Sequence, residues 1–355
     1  MAAAQTSKRS WLKRASDVFW PLLGLVAVCW SVRLLYVKLQ KEVSTDPLTR
    51  QLLDDGSLWS DVKVIAFAIS ERLAQVPSEG YALAGLATLA AYVALAWYDR
   101  IALIHLGRDQ GISWCYIGTC SFVTYALGHN IGASVLSGGM VRLRAYTAKG
   151  LSPAEVAVLV AMCTFTFAYG TLLLLGLVLM LVPQVVEPLG HLVPLLALPP
   201  YLVRLAGASV LLVCALYVVG SWLHFKPLRI GGMDVVYPRL GVVGRQLVAA
   251  PLELVAAAAI VYFVLPEAGN PGFFIVLGAF LISFSAGLLS QVPGGVGVME
   301  AVFLAVLPSM PATSVVAALL VWRLLYLLIP LALSVPAILA FEHGQLRRGV
   351  VGKTG

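Results

Sequence analysis

Charged residues are scarce in this sequence. Asp, Glu, Lys and Arg make up only 12% of its 355 residues, whereas soluble domains carry about 25% charged residues. The shortfall extends along the whole chain, and the mean hydropathy is +0.91. These properties exclude an ordinary soluble protein and indicate an integral membrane protein.

Several sequence patterns are also absent. The alternation of polar and apolar residues that marks a membrane β-barrel is missing, and the long continuous apolar runs predict helical spans. The motifs HExxH, GxSxG and GxxxxGK[ST] do not occur, and the five cysteines show no CxxC spacing. We therefore expect no enzymatic activity, no ATP-driven pumping, no metal and no other cofactor. The net charge of +7 fits basic cytoplasmic loops and requires no nucleic-acid partner.

Apolar runs of about 20 residues predict six full membrane spans. The predicted spans are Val18–Val37, Tyr81–Trp97, Pro153–Leu181, Tyr201–Leu223, Gly241–Leu265 and Ala312–Phe341. Between the first two lies a polar segment, Val43–Glu79, whose second half is amphipathic. We expect that half to lie on the membrane surface or to pack over the core.

Two further apolar stretches do not fit the pattern of simple spans. Each has an apolar arm, a glycine-rich interruption and a shorter second arm, followed by a helix-start signal and a long span. The first stretch is Trp114–Gly139, with its interruption at Gly138 and Gly139 and a start signal that contains Pro153. The second is Phe273–Leu307, with its interruption at Gly294 and Gly295 and a start signal that contains Pro311. Unpaired backbone groups at such a break are costly in hydrocarbon, so a break implies a polar cavity. The sequence therefore predicts two re-entrant hairpins in an internal repeat, although an ordinary loop over Gly128–Val156 remains the alternative.

Basic residues predict the orientation. Lys and Arg cluster at the N-terminus, after Gly139, after Leu223 and in the C-terminal tail, which places these segments in the cytoplasm. If each hairpin enters and leaves by one face, the second repeat is inverted relative to the first. The predicted fold is an all-α polytopic membrane protein with about six full spans plus two re-entrant broken-helix hairpins in an inverted repeat. We expect it in the bacterial cytoplasmic (inner) membrane, with both termini cytoplasmic.

This topology divides the chain into five parts. The predicted parts are 1–112 (anchor span, periplasmic amphipathic segment and second span), 113–181 (first repeat), 182–272 (two linking spans), 273–345 (second inverted repeat) and 346–355 (cytoplasmic tail).

Charged side chains inside membrane segments are costly and are functional candidates by default. We expect Arg142, Arg144, Glu300 and Arg323 to line one polar cavity that holds a phospholipid head group. The arginines would meet a phosphate, and Glu300 or Glu253 would meet a cationic aminoacyl group. The remaining candidate substrate-binding residues are Asp99, Asn130, Gln291, Gly138, Gly139, Gly294 and Gly295.

Structural interpretations of the same residues stay open. Arg323 could form a buried pair with Glu300 or Glu253 that holds helices in register. The two arginines after Gly139 could be cytoplasmic anchors, and Asp99 could be interfacial. Asn130 could cap a helix, and Gln291 could satisfy the backbone at the second interruption.

Three segments resemble the transmembrane region of the lysylphosphatidylglycerol synthetase/flippase family. They are YVALAWYDRIALIHLG (Tyr92–Gly107), GGMVRLRAYTAKGLS (Gly138–Ser152) and QVPGGVGVMEAVFL (Gln291–Leu304). In that family an N-terminal membrane domain moves aminoacylated phospholipid between leaflets, and a C-terminal soluble domain makes the lipid. Few residues follow Phe341, so the resemblance implies a stand-alone transport module without the synthetase domain. Stand-alone relatives are associated with several lipids, including hopanoids.

The leading functional hypothesis is a lipid flippase or scramblase that moves a phospholipid, which could be aminoacylated, or a related lipid. An ion-coupled small-solute transporter with the same inverted repeat is the first alternative, and a transporter of hopanoids or other isoprenoid lipids is the second. Lateral access discriminates them, because a lipid transporter needs a groove open to the bilayer. The expected partners are the lipid substrate, a separate lipid-modifying enzyme and a second copy of the chain.

Overall fold

The computed structural model describes residues 32–33, 35–45, 58–131, 134–191, 193–223, 228–230, 233–235, 237–290 and 292–339. The predicted all-α polytopic fold is confirmed over these residues. The helices are α1 (35–45), α2 (Leu58–Gln75), α3 (Ser78–His105), α4 (Trp114–Ile131), α5 (Ser134–Thr147), α6 (Pro153–Leu181), α7 (Glu187–Gly190), α8 (Pro200–Trp222), α9 (Leu240–Val264), α10 (Phe273–Leu289), α11 (Val298–Val306) and α12 (Ala312–Leu339). A short antiparallel hairpin, β1 (Leu228–Ile230) and β2 (Met233–Val235), joins α8 to α9.

Within the described ranges, five helices are long and apolar enough to cross a membrane: α3, α6, α8, α9 and α12. The first predicted span, Val18–Val37, lies mostly outside these residues. The predicted end of the second span at Trp97 is wrong, because α3 continues to His105. Its last two turns therefore contain Asp99 and Arg100, which were expected to follow the span.

Apolar side chains face outward in the middle of the spans. On α3, Leu89 and Val93 are 65% and 66% exposed, and Leu212 on α8 is 60% exposed. A soluble protein would bury such residues or cover them with a partner. These surfaces are the lipid-facing side of the protein.

Helices α3 and α9 form the centre of the structure and pack closely along their lengths. Small residues allow this approach: Ala84, Ala91 and Ala94 of α3 and Ala249 and Ala250 of α9 are fully buried. Close backbone approach through small residues is the usual means of helix association in membranes, because no hydrophobic force drives helices together in lipid.

Two helical hairpins flank this centre: α4 with α5, and α10 with α11. Their arms have 18, 14, 17 and 9 residues, each shorter than the roughly 20 residues of a full span. In the first hairpin α4 ends at Ile131 and α5 begins at Ser134, and the predicted break at Gly138 and Gly139 is wrong because α5 runs through both. In the second hairpin the predicted break is confirmed at the turn Pro293–Gly295.

The hairpins open at opposite ends of the molecule. The first opens beside the end of α3, where Arg108 contacts Glu155 at the start of α6 (2.7 Å). The second opens at the other end. Helix α10 follows the end of α9, and the end of α9 lies against the start of α3, because a Cβ at Gly80 would lie 2.6 Å from the carbonyl oxygen of Phe263. This antiparallel arrangement is the one that an inverted repeat requires.

The helices after the hairpins begin with different caps. At α6 the predicted capping box is confirmed: Ser152 Oγ accepts from the Glu155 N–H (3.2 Å), and Glu155 Oε2 accepts from the Ser152 N–H (2.7 Å). At α12 the cap comes from α1 instead, where the Glu42 carboxylate accepts from the N–H groups of Ala312 and Thr313. This contact ties α1 to the second repeat and could not be predicted from the local motif at Pro311.

Candidate functional site

A cavity of about 90 Å³ lies between the two hairpins and the central helices. Six helices contribute to its lining: α3, α4, α5, α6, α9 and α10. The polar lining residues are Thr124, His129, Arg142, Cys163, Thr164 and Glu253. The buried Nδ1 atom of His129 has no hydrogen-bond partner among the described residues. Since a water molecule occupies about 30 Å³ of liquid, the cavity has room for roughly three waters or one small polar group.

The first buried ion pair joins Asp99 of α3 to Arg142 of α5. Arg142 Nη2 donates to Asp99 Oδ1 (2.6 Å), and its Nε lies 3.1 Å and 3.3 Å from the two carboxylate oxygens. The Tyr146 hydroxyl donates to Asp99 Oδ2 (2.9 Å), and the Cys163 thiol lies 3.4 Å from Oδ1. Asp99 is fully buried, and the pair connects α3, α5 and α6; the alternative of a position at the membrane interface stays a prediction.

Arg142 also lies against an aromatic ring. Its guanidinium carbon is 4.9 Å from the centroid of the Tyr125 ring, which belongs to α4. Cation–π contacts of this kind add stability where water is excluded. Arg142 therefore links both arms of the first hairpin to the central helix and contributes positive charge to the cavity wall.

Glu253 of α9 has a different environment, although it lines the same cavity. It is 1% exposed, and its carboxylate accepts hydrogen bonds from Tyr326 (2.6 Å) and, at the limit of length, from Tyr98 (3.4 Å). No Lys, Arg or His nitrogen of the described chain lies within ion-pair distance of it. The expected alternative of a pair between Glu253 and Arg323 is therefore wrong.

The second buried ion pair joins Glu300 of α11 to Arg323 of α12, as the structural interpretation allowed. Arg323 Nε donates to Glu300 Oε1 (2.8 Å), and Nη2 lies 2.7 Å from the same oxygen. Arg323 Nη1 donates to the carbonyl oxygen of Gly294 (2.6 Å), and Glu300 Oε2 accepts from the N–H of Gly297 (2.7 Å). The pair thus provides hydrogen-bond partners for backbone groups on both sides of the break, the Gly294 carbonyl and the Gly297 N–H.

Glycine is required in this turn for its backbone conformation. Gly294, Gly295 and Gly297 have φ angles of +60°, +63° and +81°, a region that side-chain-bearing residues seldom adopt. A Cβ at Gly294 would also lie only 3.3 Å from Arg323 Nη1. The guanidinium can therefore approach the backbone closely because Gly294 has no side chain.

The first hairpin contacts the second repeat at a widened segment of α12. Residues Arg323–Leu328 form a π-helix, in which backbone carbonyls leave the regular α-helical pattern. Two of these carbonyls receive side-chain donors: Asn130 Nδ2 donates to Leu327 O (3.1 Å) and the Tyr92 hydroxyl to Tyr326 O (3.0 Å). Helix α4 also packs against the turn Pro293–Gly295. The interruptions of the two repeats therefore lie on adjacent elements.

The four charged residues expected in one cavity are not all brought together. Arg142 lines the central cavity, whereas the Glu300–Arg323 pair lies beside it at the second break. Arg144 is exposed and faces a separate groove of about 590 Å³ between the first hairpin and the end of α12. Arg142 and Arg144 are two positions apart on one α-helix, so their side chains point about 200° apart around the helix axis. This difference in direction explains why they face different spaces.

The remaining candidates fall into three groups. Asn130 bonds to backbone, as its capping interpretation suggested. Gly138 is a packing residue, because a Cβ there would meet the Thr124 side chain at 2.9 Å, while a Cβ at Gly139 would meet nothing within 4 Å. Gln291 lies outside the described residues.

Three tyrosines of the site were not among the sequence candidates: Tyr98, Tyr146 and Tyr326. All are fully buried, and each donates a hydroxyl to a buried carboxylate. A tyrosine inside an apolar segment needs a hydrogen-bond partner for its hydroxyl. These tyrosines could therefore have been used to predict a buried acid on a neighbouring helix. Which acid it meets depends on helix packing, which the sequence does not specify.

The cavity has an opening on the side of the protein. Its lining includes Val160, Thr164 and Phe167 of α6 and Phe284 and Leu288 of α10. Thr164 and Leu288 are exposed, and Thr164 lies about 17 Å along α6 from its start, at roughly 1.5 Å per residue. The opening therefore lies partway along the spans, between two helices that face lipid.

Five apolar spans, two inverted hairpins and buried charges around a central cavity define a polytopic α-helical membrane protein. No family model matches the chain. The uncharacterized protein slr0712 of Synechocystis sp. is 32% identical over 269 residues, which cover 74% of this chain and 80% of that protein. The inner membrane protein YbhN of Escherichia coli (strain K12) is 28% identical over 255 residues, which cover 71% of this chain and 76% of that protein.

The chain belongs to the same family as slr0712. Its resemblance to the lysylphosphatidylglycerol synthetase/flippase family is not confirmed by these comparisons and stays a prediction.

Proposed function

We propose that this chain is a lipid flippase or scramblase of the bacterial inner membrane, and that its substrate has a phosphate-containing head group. The observation that carries the proposal is a cavity with Arg142 and Glu253 in a largely apolar wall, which reaches the surface between α6 and α10. A lipid can keep its acyl chains in the bilayer while its head group enters such an opening. A carrier of small solutes needs a cavity closed to lipid, so lateral access favours the lipid.

The charge of the cavity supports an anionic group. Arg142 stands at its wall, and an arginine can hold a phosphate through two parallel hydrogen bonds. A head group that displaced Asp99 from Arg142 would exchange one anion for another on the guanidinium, and Asp99 would then need a proton or a cationic part of the head group as its new partner. Neutral isoprenoid lipids lack an anion for this exchange, so the hopanoid alternative is less favoured.

The inverted hairpins suggest how access alternates. The first hairpin is held by the Asp99–Arg142 pair and the second by the Glu300–Arg323 pair, and the two hairpins open at opposite ends of the molecule. Because the cavity of about 90 Å³ is smaller than a whole head group, we infer that transport requires one hairpin to move away from the centre. Alternate movement of the two hairpins would expose the cavity first to one leaflet and then to the other.

The inner-membrane assignment is supported by the name of the relative YbhN, and the orientation by the basic loops. We expect Thr45 outside and Lys149 in the cytoplasm. A cysteine at Thr45 should then react with an impermeant maleimide in intact cells. A cysteine at Lys149 should react only after permeabilisation, tested in a Cys115→Ala background because Cys115 is exposed. Labelling of Lys149→Cys in intact cells would contradict this orientation.

Lipid movement is tested in vesicles of phosphatidylcholine and phosphatidylglycerol that contain the purified protein and a trace of tail-labelled fluorescent phosphatidylglycerol. Dithionite bleaches only the outer leaflet, so translocation appears as loss of the protected fraction. We expect Thr164→Trp, which fills the side opening, to slow translocation about tenfold or more, equivalent to about 1.4 kcal/mol. Leu212→Trp on the lipid-facing surface of α8 is the matched control and should behave as wild type.

Two results would contradict the proposal. One is an unchanged protected fraction in wild-type vesicles, with uptake of radiolabelled glycerol phosphate into the same vesicles, which would support the solute carrier. The other is equal slowing by Thr164→Trp and Leu212→Trp, which would show that the side opening is not the lipid path.

A further inference from the structure

Three buried carboxylates lie within the described helices that surround the cavity, and two of them have an arginine partner. Asp99 pairs with Arg142, and Glu300 pairs with Arg323. Glu253 is as deeply buried as these two, but tyrosine hydroxyls are its hydrogen-bond donors in the described chain. The protein thus neutralises two of its acids with fixed cations and leaves the third without one.

An ionised carboxylate without a counter-ion is expensive at this depth. A charged side chain at the centre of a membrane helix is costly to insert and is normally paired or reached by water. Two tyrosine hydrogen bonds offset part of that cost, because bonds to a charged acceptor are stronger than neutral ones. A proton removes the charge altogether and requires no further side chain. Glu253 therefore has two accessible states, one stabilised by its tyrosines and the other by protonation.

Among the described residues, no other charged group near Glu253 replaces the missing counter-ion. The titratable groups close to it or to its cavity on the packed elements are Tyr92, Tyr98 and Asp99 of α3, Tyr125 and His129 of α4, Arg142 of α5, Cys163 and Tyr169 of α6, Cys214 and Tyr217 of α8, and Arg323 and Tyr326 of α12. Both arginines of this set are engaged by their own carboxylates. In the described sequence of α10 there is no titratable residue.

Proton exchange also needs contact with water. Glu253 lines the cavity, which has room for about three waters at about 30 Å³ each. His129 lines the same space, and its buried Nδ1 has no hydrogen-bond partner in the described chain. His129 stacks on Tyr326 with ring centroids 5.4 Å apart, and Tyr326 donates to Glu253. Glu253 itself belongs to the cavity wall, so water in the cavity can exchange a proton with it directly.

We propose that Glu253 is the proton-binding site that couples lipid movement to a transmembrane proton gradient, an inference that rests on the proposed lipid transport. When the cavity faces one side, the Glu253 carboxylate takes a proton from water and becomes a neutral carboxyl group. When the cavity faces the other side, the proton returns to water there. Movement of one proton with one anionic lipid transfers no net charge, so the cycle does not work against the membrane potential.

The proton site is tested first without any transport. Infrared difference spectra of the purified protein in nanodiscs, recorded while the pH is stepped, should contain a carboxylic C=O band. That band should be lost in Glu253→Gln, which keeps the shape of the protonated side chain. Glu187→Gln, at an exposed acid of the loop after α6, is the matched control and should keep the band. A band that persists unchanged in monodisperse Glu253→Gln would overturn the proposal.

Coupling is tested in vesicles with the fluorescent phosphatidylglycerol. With one proton per lipid, a gradient of one pH unit should change the leaflet ratio of the lipid by up to about tenfold, and reversing the gradient should reverse the change. Lipid that still moves in Glu253→Gln should distribute between the leaflets independently of the gradient. A wild-type leaflet ratio that ignores the gradient overturns the coupling, and so does a Glu253→Gln ratio that still follows it.

Different results would contradict the proposed lipid transport and the proposed proton binding at Glu253. Wild-type protein that shows the carboxyl band but moves no lipid would overturn the proposed function and the coupling, and would leave proton binding in place. If Glu253→Gln stops lysylphosphatidylglycerol but leaves phosphatidylglycerol and its gradient response unchanged, Glu253 binds the cationic aminoacyl group and the proton proposal is wrong.

Discussion

Neutralising Arg142 alone is expected to destabilise the protein strongly. In Arg142→Gln the carboxylate of Asp99 remains fully buried with only the Tyr146 hydroxyl and the Cys163 thiol as partners. Breaking one side of a buried ion pair typically costs about 3–5 kcal/mol, because the remaining charge is uncompensated. We expect a lower unfolding temperature and poor monodispersity in detergent, measured by thermal unfolding and size-exclusion chromatography.

A double substitution separates stability from function. In Asp99→Asn with Arg142→Gln no buried charge is left alone, and replacing both partners of a buried pair is often nearly neutral. We therefore expect the double variant to regain most of the lost stability. Its lipid translocation should stay low if Arg142 meets the head group. Full recovery of translocation would show that the pair is only structural, and a stable Arg142→Gln would show that the pair contributes little to folding.

The spans and the start of α6 follow from local rules and could be predicted. Continuous apolar runs fix the approximate limits of a span, and the capping box at Ser152 fixes its first residue. The break at Gly294 and Gly295 was also predictable, because a Pro-Gly-Gly run favours positive φ angles. In each case the deciding interactions lie within a few residues of one another.

The position of the first break could not be predicted in the same way. Gly138 and Gly139 resemble the second pair in sequence, but Gly138 is kept small by Thr124 on the opposite arm of the hairpin. A helix tolerates such a glycine, at a cost of about 1 kcal/mol relative to alanine. Glycine in a membrane helix therefore predicts either a break or a close helix contact, and tertiary packing decides between them.

The partners of the buried charges depend on packing in a similar way. The sequence placed Glu253, Glu300 and Arg323 inside the membrane, and each is buried or nearly so. It left open which acid pairs with Arg323. The observed choice of Glu300 follows from its position in the first turn of α11, next to the Gly294 carbonyl that the same arginine binds. The burial of Asp99 could not be predicted, because α3 extends beyond its apolar run and the partner of Asp99, Arg142, comes from another helix.

Arg323→Lys is expected to loosen the second break although the charge is kept. Arg323 donates to the Glu300 carboxylate through Nε and to the Gly294 carbonyl through Nη1, and its Nη2 lies within ion-pair distance of the same carboxylate, all three nitrogens being held in one plane. A lysine ammonium is a point donor on a flexible stem and cannot reproduce that geometry. Loss of one hydrogen bond to a charged donor corresponds to about 1.5–3 kcal/mol. Thermal unfolding should therefore show a lower midpoint, and translocation should fall with it.

The control for this change is the exposed ion pair of Arg108 with Glu155, whose Arg108 side chain is 50% exposed. Surface pairs contribute only about 0–1 kcal/mol, so Arg108→Lys should leave both measurements close to wild type. Hydrogen exchange followed by mass spectrometry locates the effect: the segment around Gly294–Gly297 should exchange faster in Arg323→Lys and not in Arg108→Lys. Unchanged exchange there, with wild-type translocation, would mean that the planar guanidinium is not what holds the broken backbone, and that the positive charge of Arg323 alone is sufficient.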